Sequence, residues 1–177
     1  IKSAIVNNDK VESFKINTIL NTEDNSNKVN QFNSHDTYLN IYKMKDFKDK
    51  IVVITGAGSG MGRSYALEFA KLGAKLALND YDPKGLAQTV ALLKKAGIKG
   101  VFSKAFDVGD KAAMNDFAAA VQSKLGNAHV IINNAGVGGG GQPVWAMDDQ
   151  SYERTLQINF FGVVYGTRAF LPQLLAN

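Results

Sequence analysis

The sequence predicts an α/β fold in which a parallel β-sheet is doubly wound with helices on both faces, in three layers. Three observations carry this expectation. Ile51, Val52, Val53 and Ile54 form an apolar run without polar alternation, as expected of a strand buried on both faces. Thr55 and four closely spaced glycines follow at once and lead into a helical pattern. Beyond them, short β-type runs alternate with helical stretches over short links. That order yields parallel strands joined by right-handed crossovers.

The first 43 residues stand apart from the rest. Residues 1–43 hold nine asparagines, a single alanine (Ala4) and no glycine, proline or arginine. Five lysines balance five acids there, so the formal net charge of +4 belongs to the remainder. Such Asn/Lys/Ile bias is what AT-rich codons produce, and Met44 opens MKDFKDK just before the first strand. The expectation is a disordered leader or translated upstream sequence, with an N-terminal arm that has its own partner as the alternative. Residues 44–177 then form one domain.

Each later element has a local reason. The first helical pattern starts at Met61 and ends at Gly73, and Lys75–Asn79 reads as a second strand ending at Asp80. Pro83 opens a helix carrying Leu86, Val90 and Leu93, closed by Gly97. Residues 100–108 supply a third strand. Met114, Phe117, Val121 and Leu125 share one face of a helix ending at Gly126. Residues 129–133 give a fourth strand, and the glycine loop 138–141 is expected to be the most flexible piece. A long helix runs from about Asp149 toward Leu171. Leu156, Asn159, Val163, Gly166 and Phe170 fall on one of its faces, and Phe160, Val164 and Leu171 form a second stripe. With apolar residues on two sides, this helix is expected to be buried all round.

Composition excludes several classes. An apolar share of 45% with 20% charged residues is that of a soluble globular domain. No run approaches the ~18 apolar residues of a membrane helix, and no secretory h-region is present. The absence of cysteine removes disulfides and thiolate chemistry and suits the cytoplasm. The basic residues are scattered, which fits a solvated surface and no nucleic-acid partner.

The chemistry is written in the turns that follow the strands. Thr55-Gly56-Ala57-Gly58-Ser59-Gly60-Met61-Gly62 sits between a strand and a helix, the setting of a dinucleotide-binding turn. Gly56 permits the sharp exit from the strand, and Gly58 and Gly60, lacking Cβ, let backbone approach a pyrophosphate. Gly62, with Ala66 and Ala70, gives the helix a flat side toward the sheet. The helix N–H groups and dipole then face the phosphates. Asp80, 24 residues after Gly56 at the end of the second strand, is placed to accept from adenosine ribose hydroxyls and to repel a 2′-phosphate. Its alternative is a turn aspartate. Asn133, Asn134, Ala135 and Gly136 follow the fourth strand. The two small residues leave room for a ribose, and the amides can tie strand ends together.

These motifs resemble those of the short-chain dehydrogenase/reductase family, and the resemblance covers residues 44–177. A glycine expected in the extended branch is replaced by Ser59, so the likeness is to the smaller, single-domain branch. It implies a Rossmann-type sheet and a nicotinamide cofactor. NAD is favoured over NADP because neither Ser59 nor Tyr81, where NADP-using relatives often carry a cation, is basic. It further implies that Asp107 and Val108 meet the adenine, the carboxylate accepting from the exocyclic amine; the alternative for Asp107 is a turn role. Asn159, within INFFGVVYGT, is implied to hold a water in the proton relay, with a purely structural amide as the alternative. The long helix is implied to pack on a second subunit in a homodimer or homotetramer. Family chemistry on an alcohol or ketone also uses a serine and a Tyr-x-x-x-Lys pair. None of the six tyrosines has lysine four positions on. The expectation is therefore a fragment, truncated after the fourth β-α unit and inactive alone. A non-catalytic NAD(P)-binding regulator is the other reading.

Overall fold

The computed structural model describes residues 46–138 and 141–177. The leader 1–43, with its expected disorder, and the centre of the glycine loop at 139 and 140 lie outside the described residues. Four strands, β1 (Ile51–Ile54), β2 (Lys75–Asp80), β3 (Val101–Ala105) and β4 (Val130–Ile132), make one parallel sheet in the order β3-β2-β1-β4. Central β1 pairs on both sides, with Val53 in register with Ala77 of β2 and with Ile131 of β4.

The helices are α1 (Gly60–Lys71), α2 (Pro83–Lys95), α3 (Lys111–Leu125), α4 (Asp149–Leu156) and α5 (Gly162–Leu175). A five-residue π-helical turn, Gln157–Phe161, joins the last two. The lack of alternation in β1 now has its cause. Val52 and Ile54 pack with Ala66 and Ala70 of α1 and Leu86 and Leu93 of α2. Ile51 and Val53 pack with Phe117 and Val121 of α3 and Phe170 of α5. Every β1 side chain is buried, and each such burial contributes ~1.5–3 kcal/mol. This is the Rossmann-type three-layer arrangement. Among the described residues no helix is long and apolar enough to cross a membrane.

Aspartates start three of the helices. Asp82 accepts from the Lys84 and Gly85 amides with Pro83 at the first helical position, and Asp110 accepts from those of Ala112 and Ala113. Asp148 accepts from the Ser151 amide and hydroxyl. Those two bonds, the backbone one first, hold its carboxyl below the usual carboxylate range.

Three expectations are corrected. β3 ends at Ala105 rather than at residue 108, because β2 offers no partner past Asp80, which is paired with Ala105. From there the buried Asn79 amide takes over, donating to the carbonyls of Lys104 (3.3 Å) and Phe106 (2.9 Å). β4 is likewise shorter than residues 129–133. The long helix differs most. Its buried line is Ile158, Gly162, Gly166, Phe170 and Gln173, whereas Leu156, Asn159 and Val163 are exposed. A π turn holds more residues than an α turn, so the expected stripe is out of phase up to Phe161; in α5 itself Gly162, packed against Val108, faces the core in place of Val163. The second stripe is open in the single chain, with Phe160 57% and Leu171 44% exposed.

Candidate functional site

A groove of about 330 Å³ opens at the C-terminal ends of the strands. The glycine turn and the end of β2 form one side, and residues 106–108 and 134–137 the other. Open α/β sheets place ligands at this position, where the strand order reverses between β1 and β4.

The glycine turn is fixed by a set of directed bonds. The Ala57 amide donates to Asn79 O (2.8 Å), and the buried Thr89 hydroxyl donates to Ala57 O (2.8 Å). The Gly58 amide donates to Asp80 Oδ2 (2.7 Å), and the Arg63 guanidinium donates to the Gly58 carbonyl. N–H and C=O of one planar trans peptide point opposite ways, so Thr89 on the Ala57 carbonyl sets the Gly58 amide that meets Asp80, and Arg63 on the Gly58 carbonyl sets the Ser59 amide. Ser59 caps α1 without a side-chain bond, and no acid occupies the first turn. Gly60 has φ +49°, and a Cβ built there meets nothing within 4 Å. Unspent helix N–H groups beside open space suit the phosphates of a dinucleotide.

Gly58 has a different reason from the expected one. A Cβ at Gly58 would lie 2.8 Å from the Asp80 carboxylate and 3.0 Å from the Leu86 amide. Its bareness admits the Asp80 carboxylate and the start of α2. Thr55 also stands behind the groove, its hydroxyl accepting from the amides of Asn134 (3.0 Å) and Ala135 (3.1 Å). The Asn134 side chain returns bonds to the carbonyls of Thr55 (2.9 Å) and Gly56 (3.2 Å). The remaining turn residues, Gly56, Ser59, Gly60, Met61 and Gly62, line the groove with Asn134, Ala135 and Gly136.

Asp80 lies on the wall, held through Oδ2 by Gly58 and through Oδ1 by the Asp82 amide (2.8 Å). Each oxygen keeps a lone pair for another donor. Asp107 and Val108 also line the groove. Asp107 Oδ1 accepts from the Gly109 amide (2.9 Å), and Oδ2 pairs with Arg154. Asn159 is not on the buried line. Its Oδ1 accepts from the Val137 amide and its Nδ2 donates to the Val137 carbonyl, both at 2.8 Å, which fixes the loop after β4.

Sequence reasoning passed over Arg154, Ile158 and Phe106, which line the groove, and Arg63 and Thr89, which orient the turn. Arg63 belongs to the string GMGR and had a local signal; Arg154 had none, since its partner lies 47 residues away. Among the described residues no cluster of three or more His, Asp or Glu side chains is placed to hold a metal.

Residues 50–177 match the family model described as short chain dehydrogenase. SadH of Mycobacterium tuberculosis, which carries an oxidoreductase name, is 43% identical over 134 residues, covering 76% of this chain and 48% of SadH. The fold superposes on a short-chain dehydrogenase/reductase from Burkholderia phymatum in complex with NAD. That match has TM-score 0.71 and 41% identity, over 75% of this chain and 47% of that one. A metagenomic short-chain oxidoreductase in complex with NADP gives TM-score 0.69 and 30% identity, over 73% and 58%. The chain spans about half the length of the first curated relatives it matches.

Proposed function

The chain belongs to the short-chain dehydrogenase family, and on that premise we propose that it binds NAD for an oxidoreductase acting on a secondary alcohol or its ketone. The observation that carries the cofactor choice is Asp80. A carboxylate held by two backbone amides on the groove wall can accept from both ribose hydroxyls and repels a 2′-phosphate. Family neighbours in complex with NAD and with NADP support a nicotinamide dinucleotide of either kind.

The residues divide the work along the groove. The α1 amides after Ser59 hold the pyrophosphate, with Gly60 giving clearance. Asp107 accepts from the adenine amine beside Val108. Ala135 and Gly136 leave space for the second ribose. Asn159, already bonded to Val137, keeps one amide hydrogen and one lone pair for a relay water. Bound nicotinamide supplies the carbon that gives or takes hydride. The proton must be moved by groups other than Asn159, and no tyrosine of residues 1–177 has the lysine partner that would lower its pKa. The same reading makes the protein cytoplasmic and a homodimer or homotetramer. The exposed Phe160 and Leu171 support the assembly.

Equilibrium titration with NAD and NADP, followed by turnover assays on secondary alcohols, tests this. Tighter binding of NAD than of NADP is expected, with turnover only in a longer chain that also carries a serine and a Tyr-x-x-x-Lys pair, because residues 1–177 alone hold no such pair. Preference for NADP removes the Asp80 assignment, and a full-length protein that binds NAD tightly without turnover on any alcohol or ketone is a non-catalytic regulator.

A further inference from the structure

We infer that Arg154 and Gln157 are positioning residues that set base recognition, by fixing the direction of the Asp107 carboxylate. This rests on the reading of the groove as an NAD site. The turn that carries Asp107 has left the sheet, since β3 ends at Ala105. Something else must hold it. Two side chains three residues apart on the α4–π segment grip it from outside. The Arg154 guanidinium pairs with Asp107 Oδ2, and Gln157 Nε2 donates to the Gly109 carbonyl at 2.6 Å. The fit is close: a Cβ on Gly109 would lie 2.8 Å from Gln157 Cγ. Arg154 also reaches the facing wall, where its guanidinium carbon lies 5.6 Å from the centre of the Tyr81 ring. One planar cation thus spans the groove from Tyr81 to Asp107, with Asp80 also on the lining.

The chemical consequence follows from the two oxygens. One is held by the amide of its own turn, the other by Arg154, so the carboxylate does not rotate and its free lone pairs keep fixed directions. A donor entering the groove meets an acceptor already aimed, and preorganisation of this kind favours binding and selectivity together. Adenine offers an exocyclic amine as donor. Hypoxanthine presents a carbonyl at the same position and would face the carboxylate with an acceptor. Without Arg154 the half-buried carboxylate keeps only the Gly109 amide bond, turns more freely and discriminates less. Lysine keeps the charge but lacks the planar, multi-donor guanidinium that pairs with Asp107 while lying within reach of the Tyr81 ring.

The test is calorimetric titration of the full chain with NAD, nicotinamide hypoxanthine dinucleotide and reduced nicotinamide mononucleotide, for wild type, Arg154→Ala and Arg154→Lys. Thermal melts verify that each variant is folded. Wild type is expected to prefer NAD to the hypoxanthine analogue. Arg154→Ala should weaken NAD about tenfold, bring the ratio of the two dinucleotides toward one, and leave the mononucleotide unaffected. Arg154→Lys should recover part of the ratio. A ratio unchanged in both variants overturns the inference while leaving the NAD reading intact, as does equal weakening of all three probes. Wild-type protein that binds neither dinucleotide overturns the NAD reading and this inference with it.

Discussion

Asp80 shows how much one side chain can decide when the backbone holds it still. Its two oxygens are anchored at 2.7 and 2.8 Å, so they face the groove without a rotameric search. Replacing it with alanine should weaken NAD by about ten- to a hundredfold, the loss of a charge-assisted bond of ~1.5–3 kcal/mol, and should narrow the gap to NADP. Parallel titrations of variant and wild type measure both effects. Gly60 makes a complementary prediction. With φ +49° and open space where a Cβ would stand, Gly60→Val brings both strain and bulk to the phosphate end. Gly60→Asn tolerates that backbone better. Both variants are expected to lose dinucleotide affinity, and only the valine should also lower the melting temperature appreciably. At this scale the sequence was legible wherever the cue was local. Asp80, Gly60 and Asn134 follow their strands directly. Arg154 was not legible, because its meaning depends on Asp107, 47 residues earlier, and on Tyr81 across the groove.

Among the elements, β1, α1 and α2 follow from composition alone: an unalternating run, a glycine turn, and an Asp-Pro start. The last helical segment does not. Its pattern was read with a single period, and the π turn changes the period partway, which hid Ile158 and misassigned Leu156 and Asn159. Gln173 was also missed. It is a buried amide, accepting from Ala128 (3.0 Å) and donating to Ala118 (2.9 Å), and nothing nearby in sequence announces those partners. The π turn itself can be tested by deleting the exposed Phe160. One residue fewer allows continuous α-helix in which the flanking segments keep nearly the same phase, since a π turn is an α turn with one residue inserted. Arg154 then stays at the Asp107 turn, and NAD affinity should change by less than about threefold in parallel titrations, with far-UV circular dichroism nearly unchanged. A loss of about tenfold or more would show that the π turn itself has a part in the site.

For the molecule as a whole, the parallel, doubly wound sheet was legible because crossover rules leave few choices, and the strands lie in the order β3-β2-β1-β4. The junction of β1 and β4 was not. There His129 Nδ1 accepts from the Ile51 amide at 3.2 Å, a bond that only an unprotonated ring nitrogen can make. Burial first, and then the charge of Lys50, push its pKa below 6.5. A histidine with lowered pKa favours the folded state fully above that value. Its contribution declines as pH falls below 6.5, because the unfolded chain takes up the proton first. Wild type should therefore lose melting temperature between about pH 7.5 and about pH 5.5, and His129→Asn, whose amide oxygen can still accept, should lose less. Equal losses would remove His129 as a cause. The same junction also bears on the order of folding. Ile51 of β1 meets Lys75 of β2 after 24 residues, but Val52 of β1 meets Val130 of β4 only after 78. Closing the longer loop costs about 1 kcal/mol more in chain entropy. On a ribosome, β1 waits for its second neighbour until all five elements between them, α1, β2, α2, β3 and α3, have emerged. In pulse-labelled refolding, the Lys75 amide, bonded to Lys50, should become protected before those of Thr55 and His129, whose partners are Ile132 and Ile51. Simultaneous protection would mean that the sheet forms in one step, with its most distant strand already in place.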